Sequence, residues 1–244
     1  MTQKHVKGLQ RVTLIDYPKK VACTIFLFGC NFKCGFCHNP ELVIENSEDD
    51  YSEEKILEFL KERKNSLDGV CITGGEPLIN LEEEFLKKIK DMGFAIKIDT
   101  NGSFPEKLKE LIDKKLINYV AMDIKASPEN YKKITNAKIN LENLEKSIKI
   151  ISSLPEYEFR TTILTNIHDK EEIKKIAEWL ENITQKMPKR FILQGFKNQG
   201  KFIDQSYKKE KDTPESYLKE LKDEIENCFE EVKIRVWLLE YRLQ

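Results

Sequence analysis

Val21-Ala22-Cys23-Thr24-Ile25-Phe26-Leu27-Phe28, followed at once by Gly29-Cys30-Asn31-Phe32-Lys33-Cys34-Gly35-Phe36-Cys37-His38-Asn39, decides how this chain is read. The stretch Val21–Phe28 is apolar except for Thr24. It is far shorter than the ~20 residues of a membrane helix and reads as a buried strand. The loop that follows holds three Cys spaced C-x3-C-x2-C. In parallel α/β proteins, ligands bind where strands end.

Outward from this strand, short apolar runs alternate with helical patterns. Further strands are predicted at Gly69–Thr73, Phe94–Ile98, Tyr119–Ile124, Tyr157–Leu164 and Arg190–Gln194, with a last short one at Val232–Trp237. A helix from about Ser52 carries Ile56, Phe59 and Leu60 on one face, with Ser52 as its cap. Asn80 with Glu83 resembles a capping box opening a second helix that turns Phe85, Leu86 and Ile89 inward. Pro105 suits the first turn of a third, Pro105–Lys115. Others follow at Leu141–Ser153, along the stripe Ile173, Ile176, Ala177, Leu180 and Ile183, and after Pro214. Six strand–helix units imply an α/β fold, a partial (β/α)6 barrel of parallel strands with helices outside. One domain is expected over residues 1–244, with a core of about 15–196. The 197–213 stretch lacks periodicity and reads as a solvated loop.

Composition bounds the function. Apolar residues make up 40% of the 244, enough for a core. Basic and acidic residues nearly cancel, 41 against 42, which argues against nucleic acid as the partner. The mostly polar N-terminus has no apolar signal region. The expectation is a cytoplasmic protein that engages neither membrane nor nucleic acid. Three of the six Cys cluster, and in a cytosolic protein such a cluster reads as metal or redox chemistry.

Each strand end carries polar groups. After the second strand comes Thr73-Gly74-Gly75-Glu76-Pro77, after the third Asp99-Thr100-Asn101-Gly102, and the fourth ends in Asp123-Ile124-Lys125. The fifth holds Arg160 and the sixth ends near Gln194. Three thiolates can hold a metal centre and leave one position open, whereas structural zinc and most iron–sulfur clusters use four protein ligands. A zinc knuckle completed by His38, or three ordinary thiols, stays open on the spacing alone. Two Gly before Glu76 let the backbone approach a ligand closely, and Glu76 can accept from an ammonium group.

Taken together, Gly29–Asn39 and Thr73–Pro77 resemble the radical S-adenosylmethionine superfamily, with aromatic Phe36 before the third Cys. Cys37-His38-Asn39, Gly74–Pro77, Asp99–Gly102 and Asp123–Lys125 are similar to the glycyl-radical-enzyme activating enzymes. Ile15-Asp16-Tyr17-Pro18 and Tyr157–Thr162 look closest to activating proteins of anaerobic ribonucleoside-triphosphate reductases. The resemblance implies reductive cleavage of S-adenosylmethionine to a 5′-deoxyadenosyl radical, which forms a glycyl radical on a partner enzyme. It implies that Cys30, Cys34 and Cys37 ligate one [4Fe–4S] cluster, whose open iron binds the amino and carboxylate groups of S-adenosylmethionine. Gly74, Gly75 and Glu76 would hold the amino group, and Phe36 and His38 would lie beside the adenine. Asp99, Thr100 and Asp123 match a monovalent cation site. Asp99 would also lie near the cofactor, with Lys125 and Arg160 near its carboxylate and ribose. A flavodoxin or ferredoxin-type protein would supply the electron.

The sequence also departs from the pattern. Gln194 stands where a His is expected, and Asp16-Tyr17-Pro18-Lys19 replaces Asp-Gly-Pro-Gly, which leaves Asp16 a weak candidate for contact with the partner's glycine loop. The alternatives are a radical enzyme acting on a small molecule such as a purine-derived cofactor precursor, and a non-catalytic zinc protein. Cys23, Cys71 and Cys228 read as core thiols, His5 and His168 as surface residues, and Trp179 and Trp237 as packing.

Overall fold

The computed structural model describes residues 3–44 and 51–236. Among the described residues, eight strands form one sheet in sequence order. They are β1 (Val6–Thr13), β2 (Ala22–Leu27), β3 (Gly69–Gly74), β4 (Ala95–Thr100), β5 (Tyr119–Asp123), β6 (Tyr157–Ile163), β7 (Arg190–Gly195) and β8 (Glu231–Arg235). Strands β2 to β8 pair in parallel, and β1 runs antiparallel to β2. Among the described residues, seven α-helices lie in the connections: α1 (Glu53–Glu62), α2 (Glu83–Asp91), α3 (Pro105–Asp113), α4 (Pro128–Thr135), α5 (Leu141–Ser152), α6 (Lys170–Thr184) and α7 (Glu215–Ile225). The six expected strand–helix units are therefore present as β2 to α7, and β8 adds a seventh parallel strand. Among the described residues, no pairing joins β8 to β1, so the barrel is open on that side.

The two-residue period of the strands sorts side chains into two environments. On β2, Cys23, Ile25 and Leu27 are fully buried and join the large core shared with Ile56, Leu60, Phe85 and Leu86 of the helices. The alternate residues face the lumen. A small apolar floor forms there from Tyr17, Ala22, Tyr119 and Ala121. Above it the lumen becomes charged, with Lys97 and Asp99 on β4, Asp123 on β5, and Glu158 and Arg160 on β6. A barrel of this width is filled by side chains at its base, and polar groups there must find one another.

Some sequence expectations are corrected. β1 arises from a segment read as a polar N-terminus. Its register shifts at Val6/Gly8 and Gln10/Thr13, and those irregularities break the alternation that marks a strand. Helix α4 fills a segment read as loop. Asn80 does not cap α2: its amide donates to the Phe28 carbonyl at 2.8 Å, and Glu82 takes the cap position without a side-chain bond. The 197–213 segment is not merely solvated, since Phe202 is buried and Tyr207 packs against Phe36. His168 is fully buried rather than at the surface. Cys228 is only partly buried, while Cys23 and Cys71 are core thiols as expected. Trp179 packs against Tyr131 as expected, and Trp237 lies outside the described residues. Among the described residues, no helix is long and apolar enough to cross a membrane.

Candidate active site

The loop after β2 carries Cys30, Cys34 and Cys37, and the turns after β3 and β4, together with helix α4, hold it. The β3 turn reaches it through Gly75 N, which donates to the Leu27 carbonyl at 3.0 Å, and Glu76 N, which donates to the Gly29 carbonyl at 2.7 Å. These bonds require the two backbones to touch. Gly74 sits at φ +128°, and a Cβ there would fall 2.1 Å from the Leu27 carbonyl oxygen. A Cβ on Gly75 would fall 2.2 Å from that of Gly29. Only glycine fits at either position. The β4 turn reaches the loop through Asn101, whose amide donates to Asn31 Oδ1 at 2.9 Å. Helix α4 contributes the Thr135 carbonyl, which accepts from Lys33 N at 2.9 Å, and Tyr131, whose ring meets Phe32 edge-on.

The segment after β7 covers the loop from the other side. Asp204 N donates to the Gly35 carbonyl at 3.0 Å, and the Tyr207 ring packs against Phe36 with centroids 6.0 Å apart. A Cβ on Gly35 would lie 2.6 Å from the Tyr207 ring. His38 joins the same aromatic group through Phe196 and Phe202, and its Nε2 donates to the Lys197 carbonyl at 2.6 Å. Burial holds the His38 pKa below its ordinary value, so the ring is neutral at physiological pH.

The three cluster-loop thiols are free. Burial pushes Cys30 up to about 12 and Cys34 to about 11, and raises Cys37 as well. The Lys125 ammonium works against burial at Cys34 and Cys37. One buried and two half-buried thiols, unpaired by disulfides and with the Lys125 ammonium beside Cys34 and Cys37, form a donor set suited to a metal centre that replaces their protons. They fit a cluster held by three thiolates.

Glu76 is fully buried. Its Oε1 accepts from Leu78 N at 3.1 Å and Thr100 Oγ1 at 2.8 Å, and its Oε2 accepts from Asn101 N at 2.6 Å. Burial nevertheless raises its pKa to about 7. This carboxylate clips the β3 turn to the β4 turn, so both meet the Cys loop as one unit.

Below these turns lies the charged lumen. Arg160 bridges two acids: Nη1 lies 3.0 Å from Asp99 Oδ2 and Nε 2.8 Å from Asp123 Oδ1. Lys125 Nζ lies 3.2 Å from Asp123 Oδ2. Lys97, fully buried, pairs with Asp99 Oδ1. Burial alone would raise both aspartates, but Arg160 and its neighbouring lysines outweigh it and hold both below the ordinary carboxylate range. The set is thus ionised. Glu158 Oε2 accepts from Tyr119 OH at 3.0 Å, and Arg190 Nη1 donates to that hydroxyl at 3.0 Å.

The expected residues Cys30, Cys34, Cys37, Gly74, Gly75, Glu76, Asp99, Asp123, Lys125 and Arg160 therefore gather at the strand ends. Thr100 is turned away from Asp99 and toward Glu76. Gln194 bonds to Thr162 Oγ1 at 3.4 Å. Asp16 accepts from Thr24 Oγ1 at 2.5 Å within the barrel wall. Sequence reasoning missed Lys97 and Glu158, although each stands two residues from a charged site residue and so on the same face of its strand. It also missed His168, which fixes Lys125 from behind: Nδ1 accepts from Leu164 N at 3.1 Å and Nε2 donates to the Lys125 carbonyl at 2.9 Å.

Comparison with known proteins agrees with this site. The model of the radical SAM superfamily matches residues 24–183, and the chain belongs to that superfamily. A Methanocaldococcus jannaschii protein, provisionally named a glycyl-radical enzyme activating enzyme, is 37% identical over 72% of this chain and 75% of its own. The pyruvate formate-lyase-activating enzyme of Clostridium pasteurianum is 29% identical over 75% of this chain and 79% of its own. These relatives narrow the superfamily to its activating-enzyme branch. The crystal structure of SuiB from Streptococcus suis shares the fold with a TM-score of 0.63 at 16% identity over 86% of this chain, which spans 47% of that longer one.

Proposed function

We propose that this protein reductively cleaves S-adenosylmethionine and removes a Cα hydrogen atom from one glycine of a partner enzyme. The observation that carries the reading is the convergence of three free thiols, the Gly74–Glu76 turn and the ionised Asp99, Asp123, Lys125 and Arg160 set at adjoining strand ends. The names of its relatives favour a protein substrate.

When bound, the cluster and S-adenosylmethionine supply one-electron cleavage of the C5′–S bond, which gives methionine and the 5′-deoxyadenosyl radical that takes the hydrogen. Cys30, Cys34 and Cys37 would hold the cluster and leave one iron for the cofactor. The Gly74–Glu76 turn would receive the amino group, with Glu76 fixing the turn. Lys125 and Arg160 would face the carboxylate and ribose, with Asp99 beside them. Phe36 and His38 would border the adenine, where Phe202 and Tyr207 exclude water. A flavodoxin or ferredoxin-type protein would deliver the electron. The partner class is a glycyl radical enzyme, such as an anaerobic ribonucleotide reductase.

A zinc knuckle completed by His38 would have to use Nδ1, since Nε2 donates to the Lys197 carbonyl, and analysis of the purified protein for iron and sulfide against zinc separates the two readings. The deciding experiment is anaerobic incubation with S-adenosylmethionine, reductant and candidate glycyl radical enzymes. A carbon-centred glycyl radical by electron paramagnetic resonance is expected with one of them. Cleavage that responds to a free metabolite, with no radical on any candidate, would overturn the protein-substrate reading.

A further inference from the structure

A monovalent cation is the one group implied by the resemblance that these residues do not fit. Its expected ligands are Asp99, Thr100 and Asp123. The Thr100 hydroxyl donates to Glu76 and accepts from Gly102 N at 3.1 Å, on the opposite face of β4 from Asp99. Both oxygens of each aspartate already face a cationic side chain. Asp99 Oδ1 meets Lys97 and Oδ2 meets Arg160; Asp123 Oδ1 meets Arg160 and Oδ2 meets Lys125.

We infer that the Lys97 ammonium supplies, from within the chain, the positive charge that a bound sodium or potassium ion would otherwise bring to Asp99. Charge arithmetic supports this. Asp99, Asp123 and Glu158 bring three negative charges to the lumen, Lys97, Lys125 and Arg160 bring three positive ones, and the partly exposed Arg235 adds a fourth 3.6 Å from Glu158 Oε1. An added cation would meet no net negative charge and would stand against three cations in a buried, weakly screened space.

Lys97 is held for this role. It has no exposed surface, its stem rises from β4 between Cys71 and Tyr119, and its ammonium lies 5.9 Å from the Tyr119 ring centroid and 3.8 Å from Cys71 Sγ. Water does not compete for it. The alternating period of β4 fixes its direction, because Lys97 and Asp99 are two residues apart on one face. Lys97 is thus a positioning residue. It holds Asp99 ionised and oriented toward Arg160 without touching the reacting atoms.

The inference takes its location from the cofactor-site reading, but the test needs neither S-adenosylmethionine nor a partner, so the two can fail separately. The anaerobically purified, cluster-loaded protein is titrated with potassium and sodium chloride against choline chloride at equal ionic strength. Thallium NMR reports site occupancy and thermal melting reports stability. The parent is expected to show no saturable site and one melting midpoint in all three salts. Lys97→Met leaves Asp99 one cation short, and it should gain a saturable site and melt higher in potassium or sodium than in choline. Lys97→Arg keeps the charge and should stay indifferent to the salt. A saturable site in the parent, with a Kd below roughly 10 mM, or a parent midpoint that rises with potassium, would overturn the inference. So would a Lys97→Met protein that folds yet remains indifferent to salt. Should Lys97→Met not fold, the parent and Lys97→Arg titrations decide.

Discussion

Glu76 shows how one residue can carry both a fold and a site. Its carboxylate takes donors from Leu78, Thr100 and Asn101 while fully buried. Burial raises its pKa from 4.5 to about 7. A folded-state pKa raised for an acid means the folded protein keeps a proton that the unfolded chain has released. Stability attributable to Glu76 is therefore full below about 4.5, falls as pH rises to about 7, and is flat above that. The loss is on the order of 3 kcal/mol at ~1.4 kcal/mol per unit. Glu76→Gln lacks this titration. The stability of the parent relative to Glu76→Gln, from denaturant unfolding, should drop across that window. A pH-independent difference would mean Glu76 is ionised throughout. The same variant should keep its iron but bind S-adenosylmethionine roughly tenfold to hundredfold more weakly, the cost of a charge-assisted hydrogen bond. Anaerobic calorimetry reads this directly. The thiols make a complementary case. Cys23 and Cys71 are buried away from the Cys loop, and Cys228 follows α7. Alanine at any of the three should leave iron and sulfide content unchanged, whereas alanine at Cys30, Cys34 or Cys37 should abolish the cluster. Loss of iron from the first group would reveal a fourth protein ligand. The site residues on strand-end turns were legible because motif spacing marks them. Lys97, Glu158 and His168 were not. A buried charge or ring is stabilised by partners remote in sequence, such as Tyr119 for Glu158 and Lys125 for His168, and no local pattern announces them.

Elements were legible where their period was clean and not where something interrupted it. Strands β2 to β7 are short runs whose helix-facing side is apolar and buried, and their boundaries follow the sequence within a residue or two. Strand β1 was hidden by its irregular register, and α4 by its brevity and by the Ser127-Pro128 start that reads as a turn. The 197–213 segment was misjudged because a loop that packs through isolated aromatics, Phe202 and Tyr207, has no period to detect. Contacts between turns, more than any helix, set the geometry of the Cys loop. Gly75 is the tightest point that has an ordinary φ, so a substitution there tests packing without backbone strain. Gly75→Ala forces its Cβ against the Gly29 carbonyl and close to Cys30. The β3 turn must then retreat from the Cys loop. Neighbouring backbone atoms cannot yield as a flexible side chain would, so a loss of about 1–3 kcal/mol is expected, as for overpacking. The more specific outcome is cluster occupancy. Gly75→Ala should lose iron while retaining its parallel sheet by circular dichroism. An alanine variant with full iron content and unchanged cofactor affinity would show that the turns need not touch.

At the scale of the whole molecule, the unpaired edges matter most. Among the described residues, strands β1 and β8 end the sheet without meeting, while the helices cover its outer surface. Exposed Val12, Leu14 and Ile15 follow the outer strand β1 into the turn toward β2. The lumen behind the opening is lined by ion pairs, with Arg160 shared among Asp99, Asp123 and Glu158, and among the described residues one buried polar side-chain atom, Glu158 Oε1, is left without a hydrogen bond. A small polar substrate binds where a few polar groups converge unspent. Here one carboxylate oxygen is left above an apolar floor, and the lateral opening gives a loop of another protein a way to the strand ends. Such a loop would be recognised by shape and backbone rather than by its own charge. Reductant and S-adenosylmethionine alone should therefore give only slow, uncoupled formation of 5′-deoxyadenosine. The matching glycyl radical enzyme, or a peptide spanning its glycine, should accelerate turnover. With that glycine deuterated at Cα, mass spectrometry should find one deuterium in 5′-deoxyadenosine. If turnover is instead fast with a free metabolite and the label never arrives from any candidate glycine, the opening serves another purpose and the protein-substrate reading fails, while the three-thiol site and its cofactor chemistry stand.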